Sequence, residues 1–379
     1  MDHDIYLDNS ATTRVCPQAT EKALYMMTQC WGNPSSLHAK GSAAARELME
    51  SRRRIAAVLG AEPEEITFLS GGTEANNLAV LGAAKWGQKR GHRIVTTAFE
   101  HSSVLDSVRQ LEKEGWDVCY LQPDRQGHIT PEQVFSAVTP DTVLVSMMAV
   151  NNEVGTMPPL DAVPAAIRRA KAPALFHVDA VQAFGKIPLR PGRMGIDLLT
   201  CSSHKIHGPK GAGALYKRRG LYLPPRAFGG EQEGKLRPGT EAMPALCAFG
   251  AAAAALPPIP DSLRKMKELN AFARQELQKI DGVILHSPPD ALPYILHLSA
   301  GHVRAQTMLN FLSQRGIYVS SGSACAKGAR SHVLTAMGLP ETEIDASLRI
   351  SFSHENTRQD VLALCQALQE GLQQLVARP

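Results

Sequence analysis

From about residue 60 to about residue 220 of this 379-residue chain, short runs rich in β-forming side chains alternate with stretches of helical spacing. The runs 66–69, 93–96, 118–121, 143–146, 175–178 and 196–199 read as strands, and 74–84, 103–114, 131–138 and 161–170 as helices between them. Strands that alternate with helices pair in parallel and carry helices on both faces of the sheet, so the fold class is α/β with a mostly parallel central sheet. Ligands of such sheets bind beyond the carboxyl ends of the strands. The residues that directly follow each strand are therefore the first place to look for chemistry.

The pattern changes at Leu256-Pro257-Pro258-Ile259-Pro260, which cannot continue a helix and marks a boundary. An amphipathic helix follows, with Met266, Leu269, Ala273, Leu277 and Ile280 three and four apart, and a second, smaller α/β unit runs on from there. The alanine-rich stretch 245–256 reads as a buried helix and is well short of the roughly 20 residues that cross a bilayer. With 44% apolar and 20% charged residues the composition is that of a soluble globular protein. A net charge of +4 over this length gives no case for a nucleic-acid partner. The polar start Met1-Asp2-His3-Asp4 lacks the pattern of a secretory signal, so the expectation is a cytoplasmic protein without a membrane partner. The seven cysteines contain no C-x-x-C pair and suggest neither a disulfide framework nor a zinc site. Arg52-Arg53-Arg54 and Lys217-Arg218-Arg219 read as solvated faces.

Three strand-end motifs carry candidate chemistry. In Ser202-Ser203-His204-Lys205-Ile206-His207-Gly208, a lysine among small residues and histidines is a candidate imine-forming amine, although an isolated loop lysine is ordinarily solvated. His204 and His207 have loose metal-ligand spacing, but nothing nearby completes a metal site. In His177-Val178-Asp179-Ala180-Val181-Gln182, Asp179 read alone is a polar cap for the next helix. Together with Lys205 it means more, because pyridoxal phosphate needs both a Schiff-base lysine and a carboxylate beside the pyridine nitrogen. In Ser70-Gly71-Gly72-Thr73-Glu74-Ala75-Asn76-Asn77, glycines before a helix N-terminus suit an anion, though the spacing is not that of a nucleotide P-loop.

These motifs resemble the cysteine desulfurases of the NifS/IscS type, fold-type-I pyridoxal 5'-phosphate enzymes of the class-V aminotransferase family. The resemblance runs nearly end to end. It extends from Tyr6-Leu7-Asp8-Asn9-Ser10-Ala11-Thr12-Thr13 and Asn33-Pro34-Ser35-Ser36-Leu37-His38 through Glu100-His101 and Asn151-Asn152-Glu153-Val154-Gly155. It continues through Arg237-Pro238-Gly239-Thr240, Ser320-Ser321-Gly322-Ser323-Ala324-Cys325 and Leu348-Arg349-Ile350-Ser351. It implies a large cofactor-binding domain over 16–257 and a small domain made of 1–15 and 258–379 that carries the Cys325 loop. It further implies that Lys205 holds the cofactor, Asp179 pairs with the pyridine nitrogen and His101 stacks on the ring. Gln182 and Asn152 match residues near the phenolic oxygen, Asn152 also lying near the substrate. Gly72, Thr73, Ser202 and His204 match the phosphate site, joined by Thr240 of a second copy, so that a homodimer shares its active sites. Arg349 matches the arginine that grips the substrate carboxylate, and Cys325 the cysteine that receives sulfur.

The activity so implied is removal of sulfur from L-cysteine to give L-alanine and a persulfide on Cys325. A thiolate is needed for this, with Lys327 and Arg330 as nearby cations. A selenocysteine lyase or another C–S lyase would use the same lysine and aspartate, and a non-catalytic cofactor-binding protein is the reading from a different class. The loop after Cys325 is short and basic, and no long tail follows 373–379. The sulfur acceptor, whether an iron–sulfur scaffold or a tRNA-thiolation enzyme, therefore stays open.

Overall fold

Every residue of the strands Thr142–Met148, Leu175–Asp179 and Leu198–Ser202 is buried, as expected of a parallel sheet with helices on both faces. The computed structural model describes residues 4–321 and 330–375. Its large sheet has seven strands, in the spatial order Ile66–Leu69, Gly213–Lys217, Leu198–Ser202, Leu175–Asp179, Thr142–Met148, Arg93–Thr97 and Asp117–Leu121. Six run parallel to one another, and Gly213–Lys217 is antiparallel to both its neighbours. Adjacent residues split between the faces. Val145 and Leu199 join the main core, whereas Leu144 and Leu198 pack with the helices Gly72–Gly87 and Ser102–Lys113.

The α/β architecture is the expected one, with two differences of detail. The Gly213–Lys217 strand was not among the sequence runs, and the strand expected at 196–199 lies two residues later, at Leu198–Ser202. The reason is Asp197, whose carboxylate accepts from the Phe176 amide at 2.9 Å and from Arg218 Nε at 2.6 Å at the strand entrance. The later end matters, because the single 3-10 turn Ser203–Lys205 comes directly after it and brings Lys205 to the sheet's rim. Gly213 is required by a close approach: a Cβ there would stand 2.6 Å from the Gly71 backbone.

The proline cluster ends the buried helix Met243–Ala254 and starts the helix Ile259–Leu277, with Pro258 at its N-cap and Pro260 in its first turn. No single helix among the described residues is long and apolar enough to cross a membrane. Beyond this point Ile295–Ala300 is the middle strand of an antiparallel three-stranded sheet, between Val283–Leu285 and Ser347–Ser351. The N-terminal Ile5–Tyr6 pairs in parallel with Ile317–Tyr318, and Asp8 bridges to Ser351. The first residues of the chain are thereby laid against its last third. Arg52 departs from the solvated reading: its side chain is 13% exposed and forms a two-pronged pair with Glu233 at 2.7 and 2.6 Å.

Candidate active site

The strand ends of the large sheet converge on one cavity of about 270 Å³, near the lower end of ligand pockets, which span roughly 300–1,000 Å³. Gly72 and Thr73 reach it from the start of the helix Gly72–Gly87, and His101 from the N-cap of Ser102–Lys113. Asn152, Asp179, Gln182, Ser202, His204, Lys205 and Arg349 also line it. The sequence-derived residues are thus brought together, except for Thr240, Cys325 and the two cations Lys327 and Arg330. Thr240 is exposed and does not line the cavity of its own chain. Cys325 and Lys327 lie outside the described residues.

Lys205 is held by the N-terminal segment. Its Nζ donates to the backbone oxygens of Ala11, at 2.9 Å, and Ser10. Burial pushes its pKa down to about 7, helped by the cations of Arg349 and Lys186. The Ser10 carbonyl also accepts from Gln182 Nε2 at 2.9 Å, and the Gln182 oxygen accepts from Lys186 Nζ at 3.4 Å. Lys186 is itself buried, which lowers its pKa to about 8.

Asp179 uses both oxygens. Oδ1 accepts from the Val181 amide at 2.9 Å and so caps the turn after the strand, while Oδ2 accepts from Asn76 Nδ2 at 2.7 Å. The capping expected of this residue thus falls to Oδ1 and serves a turn rather than a helix, which leaves Oδ2 to Asn76. Asn76 Nδ2 lies 2.8 Å from Ser103 Oγ, and that hydroxyl lies 2.8 Å from His101 Nδ1. The His101 pKa is lowered, chiefly by burial.

At the anion end, the free amides of the helix start at Gly72 and Thr73 stand near Ser202, whose buried hydroxyl has no partner among the described residues. A Cβ on Gly72 would come within 2.8 Å of a Val181 methyl, so glycine keeps this approach tight. His204 Nδ1 pairs with Thr12 Oγ1 at 3.2 Å, and burial followed by Lys205 lowers its pKa to about 4. His207 turns to the Arg14 carbonyl instead, and among the described residues no three potential metal ligands gather.

At the opposite side Arg349, buried in the strand Ser347–Ser351, donates to Asp8 Oδ1 and to the Asn152 carbonyl, both at 2.9 Å. Its Nε–H and the Asn152 Oδ1 are buried without partners among the described residues. Asn151 sets the Asn152 backbone, because its side chain ties to the Phe99 carbonyl and to the Glu153 and Val154 amides. Arg330 is committed elsewhere, to Glu341 at 2.6 Å and Asp345 at 3.2 Å, so its charge is already compensated before it reaches any thiol.

Several lining residues were given no role from sequence: Ser10, Asn76, Ser103, Glu153 and His332. Asn76 had a signal, since it stands one helical turn after Thr73 and so on the same face. His332, whose Nε2 meets the Glu100 carbonyl at 2.8 Å, had none.

A family model described as aminotransferase class-V matches residues 5–364. The chain belongs to this family. It is 38% identical to "Cysteine desulfurase IscS" of Methanosarcina thermophila over 375 residues, which cover 98% of this chain and 92% of that protein. A solved "NIFS-LIKE PROTEIN" superposes with a TM-score of 0.92 at 35% identity, covering 98% of this chain and all of that one. "SspA in complex with cysteine" does so with a TM-score of 0.81 at 34% identity, covering 92% and 98%. The fold is therefore the one this class-V family shares with its NifS-like members.

Proposed function

We propose that the protein is a pyridoxal 5'-phosphate-dependent cysteine desulfurase. The observation that carries this reading is the cavity itself. A lysine of lowered pKa and a buried carboxylate line it, together with a helix N-terminus beside an orphaned serine hydroxyl and a buried arginine with an unused N–H. These features fit the cofactor's aldehyde, its pyridine nitrogen and its phosphate, and the carboxylate of an amino-acid substrate. The relatives' names support L-cysteine as that substrate.

When bound, the cofactor supplies an electron sink for bonds broken at the substrate's Cα and Cβ. The protein's groups divide the remaining work. Asp179 holds positive charge at the ring nitrogen, Gln182 and Asn152 attend the phenolic oxygen, and Gly72, Thr73, Ser202 and His204 hold the phosphate. Arg349 grips the substrate carboxylate through N–H groups not used on Asp8 and Asn152, and a planar fork suits this better than an ammonium. Lys205, neutral in an appreciable fraction near pH 7, accepts the Cα proton. The Cys325 thiolate then attacks the substrate sulfur, so that an S–S bond forms as the Cβ–S bond breaks. Overall, L-cysteine and one enzyme thiol become L-alanine and one enzyme persulfide, which passes its outer sulfur to an acceptor protein.

In the proposed division into 16–257 and the small domain 1–15 with 258–379, Ser10, Ala11, Asp8 and Arg349 come from the small domain. The carboxylate grip and the lysine's resting bonds therefore sit at the seam. Thr240 is absent from its own cavity, and its role at the phosphate requires a second copy of the chain, hence a homodimer. The test is mass spectrometry after incubation with L-cysteine. One extra sulfur is expected on the peptide that contains Cys325, with an equal amount of alanine. Undiminished alanine and sulfide release by Cys325→Ala would overturn the assignment.

A further inference from the structure

We propose that Asn76 and Ser103 are positioning residues that fix which nitrogen of His101 carries the ring proton, so that the cavity meets Nε2–H. The inference rests on the desulfurase reading for its meaning, but its geometry stands apart from it. Both residues are buried, and neither is a ligand-gripping charge.

The chain of donors has one consistent assignment. An amide NH2 has two hydrogens, and Asn76 Nδ2 has two acceptors in reach, Asp179 Oδ2 at 2.7 Å and Ser103 Oγ at 2.8 Å. Reversing the amide would turn Asn76 Oδ1 toward a carboxylate oxygen, two acceptors facing each other. Ser103 Oγ therefore accepts from Asn76, and its single hydrogen goes to His101 Nδ1 at 2.8 Å. The Ser103 backbone N–H reaches the same Nδ1 at 3.2 Å. With two donors aimed at it, Nδ1 is an acceptor, and the proton of the neutral ring sits on Nε2. Among the described residues Nε2 has no hydrogen-bond partner, which leaves it for whatever the cavity holds.

The charges around the ring are Asp179, which favours its protonation together with Asp106, and Lys205 and His332, which oppose it. The two donors at Nδ1 add to the second group, because a proton on Nδ1 would leave both unpaired. The consequence for the reaction is a neutral histidine that donates rather than accepts. It can offer an Nε2–H hydrogen bond to sulfur or another acceptor on the cavity side while adding no positive charge beside Lys205. Asp179 gains a second task, since its carboxylate orients the amide that begins the chain.

The test uses the full-length protein labelled with 15N-histidine, with His101 assigned by the signal missing in His101→Gln. Long-range 1H–15N correlation should find the Nε2–H tautomer in the unsubstituted protein. In Ser103→Ala the His101 titration midpoint should rise by roughly half to one pH unit, the scale of one lost hydrogen bond. Asn76→Ala should move it the same way, and Ser103→Thr, which keeps the hydroxyl, should restore the original midpoint. The acid limb of kcat/KM for sulfide release should shift with the midpoint. A proton found on Nδ1 in the unsubstituted protein, or a midpoint unmoved by Ser103→Ala, overturns the inference. Absence of sulfide release by the unsubstituted protein would instead overturn the desulfurase reading, while the tautomer result would still stand or fall on the spectra.

Discussion

Lys205 combines two properties that pull in opposite directions, enclosure that removes its charge and backbone carbonyls that accept its hydrogens. The first sets a pH dependence. Its folded pKa of about 7 lies below the ordinary lysine value, so the reactive neutral amine is populated above that pH and protonated below it. Loading of the cofactor-free protein with pyridoxal phosphate, followed by absorbance, should speed up as pH rises through about 7 and then level off. A rate still climbing toward pH 10 would mean an ordinary exposed lysine. Arg349 gives a second expectation. Arg349→Lys loses the planar fork and the pairing to Asp8, at a cost of roughly 1.5–3 kcal/mol for hydrogen bonds to charged groups. KM for L-cysteine should therefore rise about tenfold or more, each tenfold being about 1.4 kcal/mol. Equal KM values would remove the arginine from the carboxylate site. Lys205 and Asp179 were legible as candidates because each stands at a strand end in a motif whose chemistry is local, whereas Arg349 was picked out only by the family resemblance. Asn76 showed only its place on the Thr73 face and His332 showed nothing, because their contacts, with Asp179, Ser103 and the Glu100 backbone, are distant in sequence.

At the scale of elements, the strands Ile66–Leu69, Leu175–Asp179 and Leu198–Ser202 end at the cavity rim, and each hands over a motif there. Their alternation with helices made this readable in advance. What escaped was Gly213–Lys217, a short antiparallel strand with no helix of its own before it, which the alternation rule does not anticipate. The Arg52 reading failed for a related reason: a run of three arginines resembles a wet surface until a partner arrives from elsewhere. Glu233, far along the chain, takes both prongs of Arg52 and the Phe68 amide at 2.8 Å, which pins the Gln232–Lys235 turn ahead of Thr240 against the edge strand. Removing one partner of an enclosed pair strands the other, so Arg52→Ala should destabilise the protein by about 3–5 kcal/mol. Denaturant unfolding would check this, and a change under about 1 kcal/mol would class the pair with exposed ones.

For the whole molecule, burial leaves several histidines neutral. The pKa of His177 falls to about 3 and that of His286 to about 4, and His297, enclosed with neither ring nitrogen paired among the described residues, lies lower than usual as well. An unfolded chain would protonate them near the ordinary value of about 6.5. Between that value and the folded ones the unfolded state binds more protons, so the stability these histidines contribute is full above about pH 6.5 and is lost as pH falls below it. Glu100, raised to about 8 by burial, and Glu153, raised chiefly by the same cause, have the opposite slope above the ordinary carboxylate value, and the two offset part of the histidine effect. Urea midpoints should therefore drop from pH 7 to pH 5, and His297→Leu should flatten that drop. A flat profile in the unsubstituted protein would mean that these rings take up protons without unfolding. The proposed catalytic reading depends on one buried amine, Lys205, holding the cofactor. Borohydride reduction of the coloured protein and peptide mapping should place the pyridoxyl mass on the peptide that contains Lys205. Label on the other enclosed amine, Lys186, or on no lysine, would contradict the account.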